Sequence, residues 1–177
     1  MPELIMPTTR LHAGWLEAHA EWGPGLHEDG FGLGPTDEVD SPAGFAAWVA
    51  RLTQQAAPPK MTAGDKHRCL YRWIVEGDRV LGGIALRHGD DDYVRWAGHI
   101  GYGIRPSARG NGLATWALNS MLDHARQVGL DRVLVVCAVG NAASMKTIER
   151  CGGVFESIRD TTFGPTRRYW VDLRRQG

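Results

Sequence analysis

Apolar side chains recur along this chain first at helical spacing, then at strand spacing, then in alternation between the two. Leu11, Trp15, Ala18 and Trp22 share one helical face, which predicts an amphipathic helix from about Thr9 that must end near Gly23-Pro24-Gly25. The stretch from Gly23 to Asp40 is rich in glycine and acids and reads as a long loop. Ser41 before Pro42 is a helix N-cap with proline at the first helical position. Phe45, Trp48, Val49, Leu52 and Ala56 continue one apolar face until Pro58-Pro59 stops it. Residues 68–75 and 80–87, separated by Glu76-Gly77-Asp78-Arg79, have the β-branched and aromatic content and the turn chemistry of a hairpin. Residues 88–92 read as an acidic turn and 94–104 as a third strand.

The period changes after Pro106. Leu113, Ala117, Met121, Ala125 and Val128 lie on one helical face that ends at Gly129. Residues 132–138 are a near-continuous apolar run, the pattern of a buried strand. A short helix from Asn141 to about Arg150 is halted by Gly152-Gly153, and residues 154–159 and 168–173 close the chain as two strands. The order is helix, helix, three strands, helix, strand, helix, two strands, which predicts an α/β fold with a mixed central sheet flanked by helices.

A length of 177 residues with 43% hydrophobic positions fits a single domain spanning 1–177. Twenty basic and twenty acidic side chains cancel. With no net field to hold a polyanion, nucleic acid is not expected as a partner. The longest apolar run, Val133 to Val139, is far short of the roughly 20 residues of a membrane helix, and Met1-Pro2-Glu3 opens no signal peptide. No membrane partner and a cytoplasmic location are therefore expected, with self-association into a homodimer left open. Cys69, Cys137 and Cys151 contain no CxxC spacing, so reduced core thiols are expected and no metal. Charge is uneven: residues 1–60 hold eight acids against three bases, and residues 61–177 carry the matching positive excess.

The segment Ile104-Arg105-Pro106-Ser107-Ala108-Arg109-Gly110-Asn111-Gly112-Leu113-Ala114 lies in that positive half, between a strand and a helix. Gly110 and Gly112 permit positive φ and close backbone approach, and the helix that follows opens with free N–H groups. Such a corner suits a phosphate or pyrophosphate. A Walker loop would need Lys-Ser/Thr where Leu113-Ala114 stand. A Rossmann fingerprint would need GxGxxG where Gly101-Tyr102-Gly103 runs into Pro106. An ordinary strand-to-helix turn is the plain alternative. The pattern R-x-x-G-x-A of Arg109, Gly112 and Ala114 resembles the acetyl-CoA pyrophosphate loop of the GNAT superfamily of N-acetyltransferases. Asn141-Ala142-Ala143-Ser144 followed by Glu149-Arg150-Cys151-Gly152 is similar to the family's second cofactor motif.

The resemblance implies the GNAT (acyl-CoA N-acyltransferase) fold, in which the strand ending at Ile104 and the strand 132–138 splay to hold the pantetheine. It implies acetyl-CoA as cosubstrate, bound by Ile104, Arg109, Gly110, Asn111, Gly112, Leu113, Ala114, Asn141 and Ser144. For Asn141 a plain helix N-cap is the competing role. Many members carry a tyrosine acid where this chain has Ile148, so the thiolate can leave as the anion and be protonated by water, with Tyr102 as the alternative acid. His99 is the candidate base, with a core or solvent-facing histidine as the competing reading. The first two helices wall the acceptor site in this fold. There Trp15, Trp22 and Phe31 beside Glu28 and Asp29 would suit an amino sugar, aromatic planes packing on the ring while carboxylates pair with ammonium groups. The competing role for both tryptophans is the core stripe of the first helix. The run Asp90-Asp91-Asp92 could face the same cation. Residues 2–8 and 26–33, joined to 98–106, resemble a bacterial subgroup that includes aminoglycoside 2′-N-acetyltransferases of the kasugamycin-resistance type. The expected partner is thus a small-molecule amine, best an aminoglycoside inactivated by acetylation. A peptide or protein amine and a silent acetyl-CoA sensor are the alternatives.

Overall fold

The computed structural model describes residues 1–23, 30–56, 68–162 and 164–174. Seven strands form one sheet in the order β1-β2-β3-β4-β5-β7-β6. These are β1 (Glu3–Ile5), β2 (Cys69–Glu76), β3 (Arg79–Arg87), β4 (Ile100–Ile104), β5 (Arg132–Ala138), β6 (Val154–Thr161) and β7 (Gly164–Asp172). All neighbours are antiparallel except β4 and β5, which run parallel. Among the described residues five α-helices accompany them: α1 (His12–Trp22), α2 (Pro42–Ala56), α3 (Asp92–Ala97), α4 (Leu113–Gln127) and α5 (Ala142–Arg150).

Alternation along β2 sorts the core into two layers. Tyr71, Trp73 and Val75 face α1 and α2, packing with Leu11, Trp15, Phe45, Trp48 and Leu52. Ile74 faces the other way, with Ile84, Ile100, Val133 and Val135 beneath Ala117, Leu118, Met121 and Ile148 of α4 and α5. Burying so many large apolar side chains on both faces fixes the register, because a one-residue slip would invert every strand. The Ser41 cap is present: its Oγ accepts the Gly44 N–H at 3.1 Å, and Glu38 accepts both the Ser41 N–H at 2.8 Å and its hydroxyl at 2.5 Å.

Three features differ from the sequence expectation. The strand expected over 94–104 is a helix in its first half. Asp91 caps it by accepting the Val94 N–H at 2.9 Å, and Gly98 at φ 85° ends it, so capping at both ends outweighs the β-forming Tyr93, Val94 and Trp96. Residues 3–5 add an edge strand through pairing with Trp73, Ile74 and Val75, a long-range contact that no local pattern announces. The last strand begins at Gly164, four residues earlier than its apolar content suggested, because β5 and β6 pair with it on both sides from Thr166 onward. Among the described residues no helix is long and apolar enough to cross a membrane, and no His/Cys/Asp/Glu group is arranged to hold a metal.

Candidate active site

The parallel pair β4 and β5 is joined at one end only. Ile100 pairs with Val135, and this is the single register pair between them. Just before it, the His99 N–H donates to the Leu134 carbonyl at 2.7 Å, and the Leu134 N–H donates to His99 Nδ1 at 2.8 Å. Gly98 lies so close to β5 that an added Cβ would sit 2.8 Å from the Leu134 carbonyl oxygen. Beyond Ile100, residues 101–104 continue their register with β3, and residues 136–138 continue theirs with β7. The two strands therefore part toward their carboxyl ends, exposing inner edges that each could pair with an extended guest.

Tyr102 projects from β4 toward α5, where its hydroxyl and Ser144 Oγ are 2.7 Å apart. Tyr102 of β4 is thus tied to α5 on one face of the parted strands, and burial pushes up the pKa of the Cys137 thiol on β5. Asn141 does cap α5, its Oδ1 accepting the Ser144 N–H at 3.1 Å. That leaves its exposed amide nitrogen as the donor for a ligand.

At the open end, β4 runs through a 3-10 turn over Pro106–Ala108 into Gly110, Asn111 and Gly112. Gly110 (φ 80°) and Gly112 (φ 76°) adopt left-handed conformations, and no neighbouring atom lies within 4 Å of where a Cβ would stand, so it is the backbone angle that calls for glycine. Gly112 is the N-cap of α4 and offers no side chain to its N–H groups. These donors, with the macrodipole of a 15-residue helix behind them, fit an anion. Arg109 is exposed, and its Nε donates to the Ile104 carbonyl at 2.9 Å, which orients the guanidinium along the turn. Asn111 braces the turn through Nδ2 to the Ala108 and Arg109 carbonyls at 3.2 and 3.3 Å. Leu113 and Ala114 start α4 and pack against the core beneath it. The donor set fits a phosphate-bearing anion, and the parted edges fit an extended guest.

Other expected residues have different roles. His99 accepts the Leu134 N–H at Nδ1, 2.8 Å away, which fastens β4 to β5. Burial lowers its pKa, and the Leu134 N–H occupies the Nδ1 lone pair. Phe31 is 1% exposed, wedged among Trp15, Trp22 and Trp73 as a core ring. Trp22 is half-buried, edge-on to Phe31 with centroids 5.8 Å apart. Glu28 and Asp29 lie outside the described residues. Asp91 caps α3 and Asp90 pairs with Arg95 at 3.2 Å, so that run holds a helix in place. Ile148 is fully buried in the core under α5.

Sequence reasoning passed over Arg105 and its partners. This guanidinium is 2% exposed and meets Glu17 and Glu21 of α1 at 2.8 and 3.1 Å. A charge at the end of an apolar strand, and two acids four residues apart on α1, were visible signals; their pairing across more than 80 residues was not.

This combination of a mixed seven-stranded sheet, a parted central pair and a glycine corner leading into a helix defines the GNAT fold. The sequence model of the acetyltransferase (GNAT) domain family matches residues 33–154, and the chain belongs to that family. It is an acetyl-CoA-dependent N-acetyltransferase. Among solved structures, RimL, a ribosomal L7/L12 alpha-N-protein acetyltransferase in complex with coenzyme A, superposes with a TM-score of 0.71 at 16% identity, covering 97% of this chain and 93% of that one. The ribosomal-protein-S5-alanine acetyltransferase of Vibrio fischeri gives 0.71 at 13% identity over 99% and 95%. The microcin C7 self-immunity acetyltransferase MccE, in complex with acetyl-CoA and AMP, gives 0.68 at 15% over 97% and 92%. Comparison with curated proteins gave no match.

Proposed function

We propose that this enzyme acetylates the α-amine of a peptide or protein, with the pyrophosphate of acetyl-CoA on the α4 corner and its pantetheine arm between β4 and β5. The observation that supports this placement is the single β4–β5 register pair at Ile100, beyond which both strands offer unmatched edges next to an uncapped helix terminus. Acetyl-CoA supplies an acetyl thioester. Arg109 and the amides of residues 110–114 bind the phosphates by charge-assisted hydrogen bonds, each contributing roughly 1.5–3 kcal/mol. Asn141 holds the arm through its amide nitrogen. A β4 backbone N–H facing the gap steadies the charge that develops on the carbonyl oxygen. The Tyr102 hydroxyl, hydrogen-bonded to Ser144, holds the proton for the departing sulfur in place of the tyrosine absent at Ile148. A free thiol's pKa of ~8.5 makes that assistance modest.

The acceptor preference rests on what the acids do. Glu17 and Glu21 pair with Arg105, Asp37 pairs with Arg51 at 2.5 Å, and Glu38 caps α2. Few carboxylates among the described residues of the acidic half remain to hold a polycationic amino sugar. Two of the three structural neighbours described above are named for acetylating ribosomal proteins. The test is thiol release from acetyl-CoA with a panel of peptides bearing free α-amines, set against amino sugars of the kasugamycin type. Turnover of peptides alone supports the reading. Turnover of amino sugars alone restores the antibiotic acceptor, and binding with no turnover of any amine leaves a sensor.

A further inference from the structure

The phosphate corner is fastened from outside its own motif. Arg105, immediately before Pro106, donates through Nη1 to the Val80 carbonyl at 3.2 Å and through Nη2 to Glu17 and Glu21 at 2.8 and 3.1 Å. Its Nε donates to Glu21 Oε2 at 3.2 Å. That same Glu21 oxygen accepts the Ser107 N–H at 2.9 Å, and Arg79 of β3 donates to the Ser107 hydroxyl at 3.0 Å. Glu17 and Glu21 stand one helical turn apart, so both carboxylates leave the same face of α1. The Arg105 and Ser107 hydrogen bonds hold the Glu21 carboxyl at a pKa of about 2, so it is ionised at any physiological pH. A guanidinium 2% exposed cannot shed these partners cheaply, because an uncompensated buried charge is costly. Residues 106–108 therefore cannot swing without breaking their bonds to α1. The corner that follows, with Arg109, Gly110 and Gly112, takes its aim from the N-terminal helix as well as from β4.

We propose that Glu21 is a positioning residue for the cofactor's nucleotide end. Through Arg105 and the Ser107 amide it sets the angle at which the glycine corner and Arg109 meet the pyrophosphate, while touching no ligand itself. This rests on the cofactor placement proposed above. It separates Glu21 from a general structural role, because a misaimed corner weakens the phosphate grip and leaves the arm between β4 and β5 untouched.

The test is calorimetric titration of the full chain with coenzyme A and, separately, with pantetheine, which lacks the pyrophosphate. It is run on wild type, Arg109→Ala, Glu21→Ala and Glu21→Gln, each confirmed folded by circular dichroism. Glu21→Ala is expected to weaken coenzyme A by about tenfold and pantetheine by less than about twofold, the size of one net hydrogen bond to a charged group. Glu21→Gln, which keeps an acceptor oxygen and the side-chain volume, should fall between Glu21→Ala and wild type. Equal weakening of both ligands, or no weakening of coenzyme A, overturns the proposal. If Arg109→Ala loses coenzyme A while Glu21→Ala does not, the cofactor placement stands and the role of Glu21 falls. A wild-type chain that binds coenzyme A no better than pantetheine removes the placement and this inference together.

Discussion

At its amino end, β4 is bound to β5 by the Ile100–Val135 pair, two hydrogen bonds between His99 and Leu134, and the close approach of Gly98. Two residues past that pair the same strands have parted, and Tyr102 of β4 turns its hydroxyl to Ser144 of α5 at 2.7 Å. The closed end uses its polar atoms on the protein itself, whereas the open end leaves the α4 terminus without a side-chain cap. A parallel pair that opened from its first residue would have no fixed pivot. The cost of the gap is confined to the end where a bound cofactor can offset it.

The difference is broken most strongly from the open end. Arg109→Ala should raise the KM for acetyl-CoA by about 30- to 100-fold with a smaller change in kcat, as expected for losing a charge-assisted contact of ~2–3 kcal/mol. Steady-state kinetics with acetyl-CoA varied at saturating amine read this, and an unchanged KM would return the corner to an ordinary turn. From the closed end, His99→Ala strands the Leu134 N–H and should cost about 1–3 kcal/mol of stability in urea unfolding. If His99 instead served as the base, the acidic limb of the kcat/KM profile would vanish while stability held.

Tyr102→Phe removes the hydroxyl next to Ser144 and should lower kcat about tenfold with KM for acetyl-CoA nearly unchanged, below the usual range for a general acid because thiolate is a fair leaving group. A kcat equal to wild type would leave Tyr102 a packing residue. The smallest effect is in pH. Burial lowers the pKa of His99 below its ordinary 6.5, and His88 and His124 shift the same way. A depressed folded-state pKa means the unfolded chain binds more protons in this window. The stability these rings contribute is therefore complete above pH 6.5 and is lost as pH falls through their lowered values. Stability measured downward from pH 7 should decline, and less steeply in His99→Gln.

The corner itself was readable in the sequence because its chemistry is local. Two glycines, an arginine and a helix start sit within a dozen residues, and each carries its reason in its own side chain or in the lack of one. The Asn141 and Ser41 caps were readable for the same cause. The engagement of His99 was not readable because a histidine's surroundings depend on which backbone groups meet its ring, here Leu134 from 35 residues away. Phe31 was read with Trp22, Glu28 and Asp29 as an acceptor wall on composition alone. Its burial among Trp15, Trp22 and Trp73 depends on contacts that only the folded sheet brings together. The helix at 92–97 escaped notice because its two caps outweigh an otherwise strand-like composition.

Hydrogen–deuterium exchange of the whole chain with and without acetyl-CoA tests the central claim most directly. The account predicts new protection concentrated in residues 101–104, 109–114 and 136–141, with residues 98–100 unchanged because their amides are already held. Protection elsewhere, or equal protection along the full length of β4, would contradict it.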